Sequence, residues 1–220
     1  MVGLIVSLAL LGLAAFDPIG IAAMPILLLQ KNPFKRSLTF LGGSLFSLIL
    51  MGLLFARGFG ATVLHFENSH PEFIPSIETI AGIILLAIAG NMIWRMKMGK
   101  LSVEPGDFIV KHLQLRGWQL FIFGSLLVAF QSVIDVVFVI AMIRVGQLHL
   151  QVITLLVAVV TYAVAALIFQ FAVVAAFRLT PPKQRVKTLD SVHSILIKYS
   201  YQGVIGISLL LGFGLLVLAF

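Results

Sequence analysis

The chain has 220 residues, of which 60% are hydrophobic and 10% are charged. Soluble domains carry about 25% charged residues, so this composition excludes an ordinary soluble domain and predicts a protein embedded in a membrane. The net charge of +7 fits basic loops beside anionic lipid, and no nucleic-acid partner is expected. The absence of cysteine excludes disulfides, thiol redox chemistry and cysteine-based metal sites.

The first apolar segment, residues 2–30, is interrupted in its middle by a polar break. It is longer than the roughly 20 residues that a straight span needs, and an unpaired charge on Asp17 near the bilayer centre would cost at least about 2.5–3.5 kcal/mol. Pro18 lacks the N–H that continues a helix, and Gly20 permits unusual backbone angles. With a second proline, Pro25, on the same face, these residues predict a broken helix with a polar centre. We expect the segment to be retained and not cleaved as a signal peptide.

Five further apolar segments follow, which gives six predicted transmembrane helices. The fourth segment is interrupted like the first, by Gln131, Ser132 and Asp135. The other segments are predicted to be continuous helices. The six predicted spans cover residues 2–30, 37–55, 77–94, 118–143, 150–177 and 202–220.

Basic residues are distributed unequally between the loops. Of the 15 Lys and Arg residues, only Arg57 and Arg144 lie outside the loops and flanks that follow spans one, three and five. The positive-inside rule then places those basic loops in the cytoplasm and both termini outside it. The chain divides into a first unit of three spans, residues 1–100, a cytoplasmic connector, residues 101–117, and a second unit of three spans, residues 118–220.

Two units of three spans each must enter the membrane from opposite sides. The predicted fold is therefore an all-α integral membrane protein, built from two inverted three-helix repeats with spans one and four broken at the midplane. Interrupted segments at matching places in two halves indicate a transporter binding site. We predict that Asp17 and Asp135 bind a cationic group, a metal cation or the coupling proton, with Gln131 and Ser132 completing the site and no cofactor. The residues predicted to shape the site are Pro18, Gly20 and Pro25.

The same polar residues also have a purely structural interpretation. Asp17 and Asp135 can each cap a half-helix by accepting hydrogen bonds from N–H groups freed at the break. Gln131 and Ser132 can likewise satisfy the broken backbone of span four. Three other polar residues can line the cavity or form hydrogen bonds between helices: Asn91, Gln170 and Tyr162.

Short motifs resemble those of the LysE-type transporter superfamily. Residues 16–20, followed by Pro25, resemble the D-P-x-G…P pattern of its MarC-like members. Residues 82–94 resemble a glycine-spaced segment of its third spans, and residues 134–139 resemble the acidic motif of its cation-exporter branches. The layout of six spans also resembles its lipid-addressing, GAP-like branch, which is implicated in moving cell-envelope glycolipids.

Two departures limit the resemblance. Val136 follows Asp135 where the cation exporters usually carry Asn or Asp, and the thiol-electron carriers need a cysteine that this chain lacks. The resemblance implies export without fixing the branch. It also implies a multi-pass protein of the cell membrane.

We therefore predict a secondary transporter that exports a small cationic or zwitterionic solute by alternating access. Enzyme motifs such as H-E-x-x-H and G-x-S-x-G are absent from the sequence, and no enzymatic activity is expected. One alternative is a lipid or glycolipid translocation factor of the cell envelope, and another is a scaffold subunit without transport. A groove open sideways to lipid would favour the first alternative, whereas a closed, water-lined cavity would favour a solute. Membrane lipid is an expected partner, and the glycine-rich helix faces allow a homo-oligomer.

Overall fold

The computed structural model describes residues 2–15, 17–59, 73–99 and 107–185, together with single positions between 187 and 217. Every regular element within these residues is a helix, which confirms the all-α class for the described part of the chain. Its nine α-helices are α1 (Val2–Ala14), α2 (Pro18–Leu28), α3 (Pro33–Leu54), α4 (Phe73–Lys97), α5 (Asp107–His112), α6 (Trp118–Ile134), α7 (Val136–Gln147), α8 (Val152–Ala166) and α9 (Ile168–Leu179). A π-helix, Phe55–Phe59, continues α3, and a 3-10 turn, Pro182–Gln184, follows α9.

Helix α3 with its π-helical extension is long and apolar enough to cross a membrane, over Pro33–Gly58. Two bent pairs in the described chain also qualify if each pair is one span: α6 with α7, bent by 78°, and α8 with α9, bent by 55°. Helices α1 and α2 are shorter apolar helices. These features identify a membrane protein, while the total of six spans stays a prediction.

The predicted breaks in spans one and four are present. Helix α1 ends at Ala14 and α2 begins at Pro18. Proline is favoured at the first position of a helix, because a backbone N–H there has no acceptor within the helix. Helix α6 ends at Ile134 and α7 begins at Val136, with Asp135 between them. A predicted kink site, Pro25, lies inside α2, and the helix continues past it to Leu28.

The structure differs from the prediction in span five, in span three and in the connector. Span five is not one continuous helix, because it breaks at Leu167 between α8 and α9. No proline or glycine marks that position, so the sequence carries no local signal for the break. Helix α4 begins at Phe73 and ends at Lys97, beyond the predicted limits of 77–94 on both sides. The predicted connector contains a short helix, α5, within its described residues.

Close backbone contacts join the main helix pairs. Helix α3 packs along α6, where a Cβ on Gly124 would lie 2.7 Å from the carbonyl oxygen of Phe40. Helix α1 packs along α8, where a Cβ on Gly12 would lie 2.6 Å from the carbonyl oxygen of Tyr162. Small residues at such contacts are typical of membrane helices, whose association depends on close van der Waals packing.

The buried apolar side chains form two clusters. One cluster contains residues of α1, α7 and α8, among them Phe138 and Tyr162. The other contains residues of α2 and α9, among them Met24 and Phe177. Helices α3 and α6 contribute to both clusters. The breaks between α1 and α2 and between α8 and α9 therefore lie at the level between the two clusters.

Candidate functional site

A cavity of about 200 Å³ lies between the three helix breaks. The four predicted binding residues, Asp17, Gln131, Ser132 and Asp135, all line it, although Asp17 comes from the first predicted repeat and the others from the second. The remaining lining residues are Ala15, Leu48, Val128, Ile134, Tyr162, Ala166 and Leu167. The fold thus brings together polar groups that are far apart in the sequence.

Asp17 is held by neutral donors from three helices. Its Oδ1 accepts hydrogen bonds from the backbone N–H of Gly20 at 2.8 Å and from Nε2 of Gln131 at 3.0 Å. Its Oδ2 accepts one from Nε2 of Gln170 at 3.3 Å. A carboxylate offers about four lone-pair sites to donors. Asp17 therefore caps α2 and joins it to helices α6 and α9.

Gly20 has a steric function at this site. The prediction that it supports unusual backbone angles is wrong, because Gly20 lies inside α2 and its φ is not in the left-handed region. A Cβ at this position would overlap Oδ2 of Asp17 and would lie 2.8 Å from Nε2 of Gln170. The absence of a side chain is what allows the carboxylate and the amide to meet.

Asp135 caps the second half-helix. Its Oδ1 accepts hydrogen bonds from the backbone N–H groups of Val137 at 2.9 Å and Phe138 at 3.2 Å. Its own N–H donates to the carbonyl oxygen of Gln131 at 2.8 Å. Both predicted acids are thus helix caps, and both also line the cavity, so the two interpretations of these residues are compatible.

The other predicted residues contribute unequally. Ser132 is buried, and its hydroxyl donates to the carbonyl oxygen of Val128 at 2.8 Å within the same helix. Pro25 is buried in α2 and does not line the cavity, so its predicted role in shaping the site is confined to the helix. Asn91 is exposed on α4, away from the cavity.

Two buried side chains near the acids, Tyr162 and Gln170, each carry a polar atom without a hydrogen-bond partner among the described residues. Tyr162 and Gln170 are each only 1% exposed. The hydroxyl of Tyr162, which lines the cavity, and Oε1 of Gln170 have no hydrogen-bond partner among the described residues. Buried polar groups normally have a partner. Their position beside the two acids indicates that a polar ligand or water completes the site.

At the break in span four, one residue of the cavity lining also lies on the outer apolar surface. Ile134 lines the cavity and is nevertheless 65% exposed. Phe130 and Val133, on the preceding turn of α6, are also largely exposed. The polar cavity is therefore adjacent to side chains that a membrane protein presents to lipid.

The described residues contain no group of three His, Cys, Asp or Glu side chains placed to hold a metal ion. A metal cation at this site would depend on the oxygens of Asp17 and Asp135, the two acids that line the cavity. This ligand set suits hard, oxygen-preferring cations.

Comparison with known families gives one match. The family model described as "Sap, sulfolipid-1-addressing protein" covers residues 5–219, almost the whole chain. No curated protein and no solved structure matches the chain significantly. The family match is specific to a lipid-addressing group and does not test the wider resemblance to LysE-type transporters.

Proposed function

The chain belongs to the family of Sap, the sulfolipid-1-addressing protein, and we propose that it translocates a membrane lipid whose headgroup enters the cavity between Asp17 and Asp135. This is the lipid-translocation alternative from the sequence. It displaces the small-solute exporter as the leading hypothesis because the family description names lipid addressing. The protein would act in the cell membrane, with its basic loops in the cytoplasm as the positive-inside rule predicts.

The exposed position of Ile134, which also lines the cavity, is the observation that carries the proposal. A lipid must keep its acyl chains in the hydrocarbon layer while its headgroup crosses. A polar cavity beside exposed apolar side chains, such as Phe130 and Val133, permits this division. A solute site needs no such contact with the lipid-facing surface.

The polar groups of the cavity favour a headgroup rich in hydroxyl groups. Asp17 and Asp135 accept hydrogen bonds, and the hydroxyl of Tyr162 can accept or donate. Two carboxylates in one cavity disfavour an anionic group there by charge repulsion. The part of the headgroup that enters this cavity is therefore neutral or cationic.

The helix packing supports an inverted repeat of spans. If span one corresponds to span four and span two to span five, the pair α3–α6 corresponds to the pair α8–α1. These are the two most extensive contacts between helices of the described chain. Gly82 and Gly212 also approach reciprocally: a Cβ on Gly82 would lie 3.0 Å from the Gly212 oxygen, and a Cβ on Gly212 would lie 3.1 Å from the Gly82 oxygen. This arrangement suits alternating access around a central site. The division into residues 1–100 and 118–220 and any homo-oligomer stay predictions.

The test is a translocation assay in sealed vesicles. Full-length protein is reconstituted with a fluorescent glycolipid, and its transbilayer movement is followed by quenching from one side. We expect wild-type protein to accelerate movement over empty vesicles, and Asp17→Asn with Asp135→Asn to abolish the acceleration, because Asn retains capping ability but loses the charge. Asn91→Gln, outside the cavity, serves as the control. Equal rates for wild type and the double variant would contradict the proposal.

A further inference from the structure

A second, larger cavity lies between the beginning of α3 and the segment that precedes α6. Its volume is about 550 Å³, and its lining residues include four basic side chains, Lys31, Lys35, Arg36 and Arg116, and no acidic one. None of these residues belongs to the cavity between the helix breaks. Four cations around one cavity make a strongly positive site.

Arg36 is fixed in the wall of this cavity. Its Nη2 donates to the carbonyl oxygens of Leu113 at 2.8 Å and Leu115 at 2.7 Å. Its Nε is buried and has no hydrogen-bond partner among the described residues. The guanidinium therefore joins α3 to the segment before α6 and retains an unused donor, next to a second guanidinium from Arg116.

The amino terminus of α3 adds to the positive potential. Asn32 precedes the helix in a left-handed conformation, with φ of 58°, and its side chain makes no capping hydrogen bond. The first N–H groups of a helix lack intrahelical partners, and the helix dipole is positive at this end. Both Asn32 and Lys35 line the cavity. A helix amino terminus combined with fixed basic side chains is a favourable environment for an oxyanion.

The position of the cavity points to the membrane surface. Helix α3, the helix that could cross the membrane by itself in the described chain, begins at Pro33 beside the cavity. Helix α6 begins at Trp118, which directly follows the lining residue Gly117 and is 71% exposed. Exposed tryptophan at the end of a membrane helix is typical of the headgroup level.

We propose that this basic cavity binds the phosphate ester of an anionic phospholipid headgroup. The ester oxygens would accept hydrogen bonds from Arg36, Arg116 and the amino terminus of α3, while the acyl chains lie along the adjacent helices. This site is separate from the central cavity, and its occupation does not require translocation. A variant can therefore lose lipid binding at this site and keep translocation, or the reverse, and the two measurements separate these outcomes.

The experiment measures lipid binding to the full-length protein by native mass spectrometry. Delipidated protein in detergent is titrated with phosphatidylglycerol, with phosphatidylcholine and, in a separate arm, with inorganic phosphate and sulfate. The test variant is Lys35→Gln with Arg116→Gln, since both side chains are exposed, and Arg36 is left intact because it holds the neighbouring segment. The matched control is Lys97→Gln with Lys183→Gln, two exposed basic residues outside the cavity.

We expect one tightly bound phosphatidylglycerol per wild-type chain and an affinity at least about tenfold weaker in the test variant, since charge-assisted hydrogen bonds are lost. The control should bind within about twofold of wild type. The proposal would be overturned if the test and control variants lost phosphatidylglycerol affinity equally, or if the wild-type protein retained phosphatidylcholine as well as phosphatidylglycerol. Displacement of the lipid by an equal concentration of free phosphate or sulfate would assign the site to a soluble anion instead. If the test variant is not monodisperse, Lys31→Gln with Lys35→Gln replaces it, with the same expectation.

Discussion

The side-chain amide of Gln131 donates to the carboxylate of Asp17 at 3.0 Å, across 114 positions of the chain. The backbone carbonyl of the same Gln131 accepts from the N–H of Asp135 at 2.8 Å. One residue therefore connects the break in span one to the break in span four. Movement of either half-helix would therefore change the hydrogen bonding at the other, a coupling that the proposed translocation by alternating access would need.

Replacing Gln131 with leucine should uncouple the two breaks. The variant removes one neutral donor to Asp17 and leaves part of a buried carboxylate without a partner, a loss of about 1–3 kcal/mol for such a group. We expect a lower thermal unfolding midpoint and loss of lipid translocation. Gln119→Leu, an exposed position on the same helix, is the control and should leave both unchanged. A wild-type midpoint for Gln131→Leu would show that this hydrogen bond contributes nothing to stability.

Alanine at Gly20 should disrupt the site without changing its polarity. The added methyl group would overlap Oδ2 of Asp17 and crowd Nε2 of Gln170, so one of these groups must move. Overpacking of this kind costs about 1–3 kcal/mol. The expected result is a lower unfolding midpoint with impaired lipid translocation.

A matched control exists for this substitution. Gly90 lies in α4, and a Cβ added there would meet nothing within 4 Å. Because alanine favours helices over glycine by about 1 kcal/mol, Gly90→Ala should be neutral or stabilising. If both variants behave alike, the close approach at Gly20 is not important for the site.

The sequence identified the polar residues that share the cavity better than it identified the bounds of the helices that carry them. Asp17 and Asp135 stand out because acids are rare in apolar segments and because proline or further polar residues accompany them. The break at Leu167 could not be predicted, since no proline or glycine lies beside it and the residues around it are all compatible with a helix. For Gln170 the sequence left open a position in the cavity and a hydrogen bond between helices, and it could not name the partner, Asp17, which lies 153 positions away. Periodicity and composition contain no information about such pairings.

The capping and the charged function of Asp135 can be separated by two substitutions. Asn retains an oxygen that accepts from Val137 and Phe138, whereas Leu does not, and loss of a helix cap costs about 0.5–2 kcal/mol. We expect Asp135→Asn to keep the wild-type unfolding midpoint but to lose translocation, and Asp135→Leu to lose both. Full translocation by Asp135→Asn would show that capping is the whole function of this residue.

Removal of the Tyr162 hydroxyl tests whether that group contacts the ligand. The hydroxyl is buried in the cavity wall without a partner among the described residues, so Tyr162→Phe removes an unsatisfied polar group and should not lower the unfolding midpoint. If the hydroxyl bonds to a lipid headgroup, the same change should weaken lipid binding by about tenfold, equivalent to about 1.4 kcal/mol. Ser132→Ala is the control, because that hydroxyl already donates to Val128 within its own helix. Stability and lipid affinity would be measured on the same preparations. A Tyr162→Phe variant that binds lipid as well as wild type would assign the hydroxyl to water and restrict headgroup contact to the two acids and their amide partners.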